Sequence, residues 1–510
     1  MKKSFKILAA GAVLALAASC NLDLVPKGSI TYAPGQQLIN SESDLNAFEA
    51  NILSCFRALD YGDFDVVSDV MVDYFNATVD FANNYGGIHR TDETFTAGDY
   101  DTEYNWQYPY SYIKNFNILI EGAQEVPDGL QAKAAIARGE AYTARAFAYL
   151  HLVRHFAKPY SASAGTDLGV PVVTVYEQTA RPERSSVADV YAQIKSDLDS
   201  AAVLLAGVSG SVRAQKPTID AVNALYARYY LDIKDYGNAA ASAMKVINTG
   251  KYAVSATAEE MEAEWINDNG TEPILQFFAT QAEGTRTHGA YTNMSKDPEH
   301  GVYVRPYFIP TKKLVDAYEE GDLRLAQWFN SGKYPSFHSS KYYNEDEFQY
   351  YTFAKYTGNP ALVTDATLPN SYNACKPLLI SEMYLIAAEA YLAAGNPTEA
   401  KAQLNVLQTR RGAAATDATE STIRDEWFRE TVGEGLRMSC LKRWGIGYSG
   451  REPQEGAEAA MVVSNVGSPS YTAKSMPAGD FHFQWPIPTY ELQTNLNLVQ
   501  NEGYAAEVAE

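Results

Sequence analysis

The sequence predicts a mainly α-helical protein in which paired helices support long aromatic loops, and three observations predict it. Four stretches carry the three-and-four spacing of a buried helical stripe. Two of them share the plan of one helix-turn-helix unit. Between them lie segments rich in Tyr, Asn, Asp, Gly and Pro without that spacing.

The first helix runs from about Ala132 to Phe156, with Tyr142, Ala146, Tyr149, Val153 and Phe156 on one face. A second, about Val187 to Leu205, follows the loop holding Gly169-Val170-Pro171. Thr218 to Asn248 forms a helix pair broken near Asp235-Tyr236-Gly237, and Pro377 to Arg411 forms another, with Ile380, Tyr384, Ala387 and Tyr391 as its inner stripe. In the last pair Gly395 ends one helix. Asn396 caps the next, Pro397 fits its first turn and Glu399 completes a capping box. A shift of 161 residues places Ala227, Tyr230, Leu231 and Ala239 on Ala388, Tyr391, Leu392 and Ala400, as in tetratricopeptide-like repeats. Residues 60–115, 252–375 and 445–510 are too long and too aromatic to be linkers; loops on a rigid scaffold are where binding groups sit.

The N-terminus reads as a leader. Lys2, Lys3 and Lys6 precede an apolar run from Ile7 to Ala18, which is too short to span a bilayer core of about 30 Å. Ala17, Ala18 and Ser19 lead into Cys20, the arrangement of a lipoprotein processing site, although Leu16 lies four residues before the Cys and not three. The alternative is ordinary cleavage after Ala17 or Ser19, which leaves no lipid. The three leader lysines taken from 41 basic residues leave 38 against 62 acidic ones, a balance of −24. That excess argues against nucleic acid or an anionic membrane face as a partner. Cys20, Cys55, Cys375 and Cys440 are too widely spread for a metal-site spacing; with lipid on Cys20, at least one of the other three is free.

No Gly-x-Ser-x-Gly elbow, Walker loop, His-Glu-x-x-His or Cys-x-x-Cys occurs in the chain. His151 and His155 lie four apart on a helix but lack a third ligand, and packing is the favoured reading. Asp99, Asp101 and Glu103 alternate like the start of a calcium loop. Tyr104 and Tyr110 at positions six and twelve exclude an EF-hand, while a looser structural calcium site stays open.

Several segments together resemble the SusD/RagB family of surface nutrient-binding lipoproteins. They are the start Cys20-Asn21-Leu22-Asp23-Leu24-Val25-Pro26; Trp106, Tyr112, Ile113 and Asn117; the helix from Ala144 through Tyr149 and Leu150 to Arg154, Phe156 and Pro159; and Gly169-Val170-Pro171. Later come Ala388-Glu389-Ala390-Tyr391, Asn405 to Gly412, Glu434-Gly435 with Arg437, Arg443-Trp444-Gly445, and the ending from Trp485-Pro486-Ile487-Pro488 to Gln500-Asn501-Glu502-Gly503-Tyr504. The chain departs at Leu378 to Ser381, where the family usually has an Arg, and at Cys440-Leu441, where it favours Asp-Leu. The resemblance implies eight helices in four tetratricopeptide-like pairs supporting a loop-rich half with few short strands. It implies a signal peptide over residues 1–19 and a single domain over 20–510, with the scaffold at about 20–58, 130–250 and 376–445 and the ligand-binding half at about 60–128, 252–375 and 446–510. It also implies a non-catalytic lipoprotein of the outer membrane's exterior, lipidated on Cys20, which binds oligosaccharide as the lid of a SusC-like TonB-dependent transporter and needs no cofactor. Peptide binding by a member of the same family is the alternative, and a surface glycosidase is the third reading.

Sugar C–H faces stack on aromatic rings while hydroxyls need polar edges, and two segments offer that mixture. The first holds Tyr74, Asp80, Asn83, Asn84, Tyr85, Tyr100 and Tyr104; the second holds Arg286, His288, Tyr291, Asn293 and Tyr303. For any single Tyr, packing within the loop half competes with ligand contact. Trp106 reads as framework, and Trp328, Tyr342-Tyr343 and Tyr350-Tyr351 are further candidates.

Overall fold

The computed structural model describes residues 37–505, apart from residues 79–80, 93, 284, 287–290, 292–293, 298–300, 305, 334–335, 339–340, 344–348, 365–371 and 456–473. The leader and Cys20 lie outside the described residues, as do Asp80, His288 and Asn293.

Eleven helices form the scaffold: α1 Glu42–Ala58, α2 Asp63–Met71, α3 Tyr100–Gly122, α4 Gln131–Phe156, α5 Val187–Leu204, α6 Ile219–Asp232, α7 Tyr236–Ile247, α8 Ile380–Ala393, α9 Pro397–Arg410, α10 Glu420–Glu430 and α11 Arg437–Trp444. Side chains that accept from first-turn amides start most of them: Ser186 from Asp189 N, Thr218 from Ala221 N and Asp235 from Asn238 N. Successive helices pack in a row. α3 lies on α1 and α4, α4 on α5, α5 on α6 and α6 on α7, and α8 then packs on α7 and α9 across the insertion of residues 248–379. The expected pairs therefore form, and the two copies related by the 161-residue shift stack directly, with Ala227, Ala239, Ala388 and Ala400 fully buried between helices. Small residues at these positions let the backbones approach.

Buried ion pairs clip this row at four places. Arg145 of α4 holds Asp197 of α5, Arg154 of α4 holds Asp232 of α6, Arg228 of α6 holds Glu382 of α8, and Arg443 of α11 holds Glu389 of α8. The insertion is built from short antiparallel pairs, among them Phe75–Ala77 with Phe308–Pro310, Pro273–Leu275 with Leu378–Leu379, and Phe329–Lys333 with Gln349–Phe353. No described helix is long and apolar enough to cross a membrane.

Two expectations need correction. Residues 60–115 are not a loop: they contain α2 and the first two thirds of the 23-residue helix α3. Asp99 caps α3 through Asp101 N and Thr102 N, and Trp106, Ile113, Phe116, Leu119 and Ile120 form its buried stripe, so Pro109 is carried inside the helix. The turn before α9 is as tight as predicted, with Gly395 at φ +81, but the Asn396–Glu399 capping box does not form. Asn396 sits at φ −111 and ψ 67, outside the extended conformation that aims a cap side chain at the first turn.

Candidate ligand-binding site

Helix α3 shows one face to solvent, and that face is a ladder of tyrosines. Tyr100, Tyr104, Tyr108 and Tyr112 recur every four residues, so their rings follow one another along the helix. Successive ring centroids are 6.1, 5.5 and 6.0 Å apart. The first three rings keep 54%, 40% and 42% of their surface exposed, placing three of the largest exposed aromatics of the described residues side by side. Tyr61, in the turn between α1 and α2, lies beside Tyr108 and Tyr112, and burial pushes its hydroxyl up from the ordinary value.

The N-terminal end of the ladder is acidic. Tyr85 donates to Asp63 Oδ1 at 2.6 Å. Asp101 is 1% exposed, and its Oδ1 has no hydrogen-bond partner among the described residues. Burial first, and then the charges of Asp99 and Asp63, push its carboxyl up to about 8. Burial and the carboxylates of Asp101, Asp99 and Asp63 push the Tyr100 hydroxyl up to about 12. The Asp99-Asp101-Glu103 alternation stands at a helix N-terminus, with Asp99 as its cap and Asp101 buried inside the first turn. Among the described residues no group of three acids, histidines or cysteines is placed to hold a metal ion.

The predicted site residues divide sharply. Tyr100 and Tyr104 stand on the ladder, with Tyr85 half-buried near its acidic end. Asn83 is exposed, but its Oδ1 accepts from Arg90 Nη1 at 2.8 Å. Tyr74 is fully buried, donates to the Phe428 carbonyl at 3.0 Å and packs against the Phe428 ring at 4.8 Å; it is a core residue. Tyr291 is equally buried, stacked on Phe75 at 4.3 Å. Arg286 and Tyr303 lie in the short strands Thr285–Arg286, paired with Tyr372–Asn373, and Gly301–Val304, paired with Met294–Asp297. The further candidates Trp328 and Tyr350 are buried, Trp328 against the Lys355 ammonium at 4.0 Å, while Tyr351 is half-buried. Tyr342 and Tyr343 lie in a strand paired with Ser336–His338.

Trp106 is framework, 2% exposed and edge-on to Phe156 at 4.9 Å. His151 and His155 are packed as expected, their rings 4.2 Å apart. His155 Nε2 lies 2.8 Å from Ser68 Oγ, and burial lowers the His151 ring to about 3. The sequence reading missed Tyr61, Tyr108 and Tyr112. The signal for Tyr108 and Tyr112 is the unbroken i, i+4 recurrence from Tyr100, which a loop reading of this stretch hides; Tyr61 is brought beside them by the fold alone.

Beneath α2, Asp60, Phe64, Asp65, His151, Arg228, Glu382 and Glu434 line a cavity of about 80 Å³, room for a few waters and too small for a sugar ring. The ladder is an open surface, and a chain-like ligand can lie along it.

Two family models match the chain. One, described as starch-binding and associating with the outer membrane, matches residues 31–231, and the SusD family model matches residues 343–504; between them they account for more than two thirds of the chain. The chain belongs to the SusD/RagB family. It is 31% identical over 127 residues to the starch-binding protein SusD of Bacteroides thetaiotaomicron, a match that spans 24% of this chain and 20% of that protein. Among solved structures it is similar to a SusD superfamily protein from Bacteroides thetaiotaomicron (TM-score 0.72, 23% identity, 90% of this chain and 99% of the other). It is also similar to a laminarin-binding SusD-like protein (0.68, 20%, 91% and 100%) and to the surface glycan-binding protein A of Bacteroides fluxus (0.69, 18%, 91% and 100%). At these identities the likeness is one of fold, a mainly helical scaffold with few short strands.

Proposed function

We propose that this chain is a non-catalytic, cell-surface carbohydrate-binding protein that holds oligosaccharide on the α3 tyrosine ladder. The exposed ladder carries the reading. Three neighbouring rings with close to half their surface in water are costly to display when most of the other described large aromatics are buried or half-buried, and a ligand with apolar C–H faces is what covers them. The names of the starch-, laminarin- and glycan-binding relatives support the same ligand class. The outer-membrane association in the matching model's description supports a surface location, with lipid on Cys20 as the tether. As a lid, the protein would pass its ligand to a SusC-like TonB-dependent transporter, and the acidic overall charge leaves nucleic acid out as a partner.

Calorimetric titration of the mature protein against neutral oligosaccharides and against mixed peptides tests the reading. Heat with sugars that disappears in Tyr104→Ala/Tyr108→Ala supports it. Heat with peptides alone replaces it by the peptide-binding alternative, and release of shorter products from a labelled oligosaccharide replaces it by a glycosidase. Radioactive palmitate incorporation that persists in Cys20→Ala overturns the tether.

A further inference from the structure

We propose that the ladder is selective for an extended chain of uncharged sugars and discriminates against uronic-acid and sulfated chains. This rests on the ladder being the binding surface, and concerns which glycan it takes.

The first argument is shape. On an α-helix each step of four residues advances about 6 Å and turns about 40°, so the line joining the four rings is a shallow twist about 18 Å long. The ring spacings of 5.5 to 6.1 Å match that rise. Each rung is spaced on the order of one pyranose in an extended chain. A ligand that stays extended can therefore pass every rung in turn, against ring planes tilted by 72°, 46° and 30° from one to the next, meeting some by a C–H face and others by an edge. A coiled chain diverges from the line after one or two rungs and leaves the rest in water. The rigid helix cannot bend to follow it, because its opposite stripe of Trp106, Ile113, Phe116 and Ile120 is locked in the core.

The second argument is charge. Asp63 and Asp99 lie at the first half of the ladder, where their charges act on both Tyr100 and Asp101, and Glu103 stands in the same first turn of α3. The bases nearby are engaged elsewhere. Arg57 donates to the Phe278 carbonyl and faces Glu283, and Arg90 donates to Asn83 and Thr94. Lys114, which is exposed, lies beyond the last rung. The helix dipole, which alone would favour an anion at this end, is answered by the Asp99 cap. A carboxylate or sulfate laid over Tyr100 or Tyr104 meets the charges of Asp63 and Asp99, which Arg90 offsets only in part, and such juxtapositions work as a filter against the wrong ligand.

The test is titration of the mature protein with three sets of hexasaccharides: neutral and extended (β-1,4-linked gluco-, manno- and xylo-hexaose), neutral and coiling (maltohexaose), and anionic (hexagalacturonate). At least one extended neutral hexamer is expected to bind tenfold or more tightly than either of the others, with affinity rising from disaccharide to tetrasaccharide and then levelling. Glu103→Gln is expected to narrow the gap to hexagalacturonate about threefold. Equal or tighter binding of the anionic or the coiling chain, or an affinity independent of length, overturns the proposal, as does silence from all three extended hexamers. If the preferences hold but survive Tyr104→Ala/Tyr108→Ala, the ladder itself is refuted. If that variant abolishes binding while the preferences are reversed, only the selectivity is refuted.

Discussion

Replacing Arg411 by Met tests how the loop half is fastened to the scaffold. The Arg411 guanidinium is fully buried at the end of α9. It donates to Glu272 at 2.7 and 2.9 Å, to the Ser255 carbonyl at 3.3 Å and to Glu430 at 3.1 Å, with a second, shorter bond to Glu430. Glu430 also accepts from Arg324 at 2.9 Å, so it stays paired when Arg411 is lost. Glu272 does not: it keeps only the Ser255 amide at 3.0 Å, and it sits beside Glu264, whose carboxyl burial and the Glu272 charge already push up to about 7. An uncompensated buried carboxylate costs about 3 to 5 kcal/mol. Arg411→Met should therefore lower the stability read from urea unfolding at pH 7 by that amount. Adding Glu272→Gln should return about 1 to 3 kcal/mol, a coupling typical of contacting groups. A loss below about 1 kcal/mol, or strict additivity of the two substitutions, would refute the assignment of Arg411 as the cationic partner of Glu272 in the core.

Three further outcomes follow from the same contacts. Burial raises Asp60 and Asp101 to about 8 and Glu140 to about 9. At each of these sites the folded state then holds more protons than the unfolded state between the ordinary carboxyl range and that value, a contribution that lowers stability as pH rises from 5 to 9; the calorimetric melting temperature of Asp101→Asn should therefore gain on that of the parent chain over that range, and a difference independent of pH contradicts this. Tyr74→Phe removes the bond to the Phe428 carbonyl and should cost about 1 kcal/mol of stability while leaving sugar affinity unchanged, whereas a loss of affinity would restore Tyr74 to the site. Tyr108→Ala should weaken sugar binding by about 1 to 2 kcal/mol, roughly fivefold to thirtyfold, with the melting temperature nearly unmoved because the ring is 42% exposed.

The scaffold was legible because its signals are local. The stripe from Tyr142 to Phe156 and the turn at Gly395 are written within a few residues of where they act. Helix α3 was harder to read because its tyrosines occupy the exposed face and Pro109 interrupts the pattern, so neither hydrophobic periodicity nor breaker residues pointed to a helix. Tyr74 and Tyr291 show the converse. Each looks like a binding aromatic in a polar stretch, and each is buried by partners more than 200 residues distant along the chain, Phe428 for one and the Val66 carbonyl for the other. Such long-range contacts leave no trace in local composition. The ladder itself was half visible, since Tyr100 and Tyr104 were singled out as aromatics in a polar segment, but their relation to Tyr108 and Tyr112 exists only once the segment is helical.

The most direct measurement is a crystal structure of the mature protein with an extended neutral hexasaccharide. The account predicts pyranose rings lying along α3 in contact with Tyr100, Tyr104 and Tyr108, with the chain running parallel to the helix. Sugar bound elsewhere, with those three rings still in water, would contradict it.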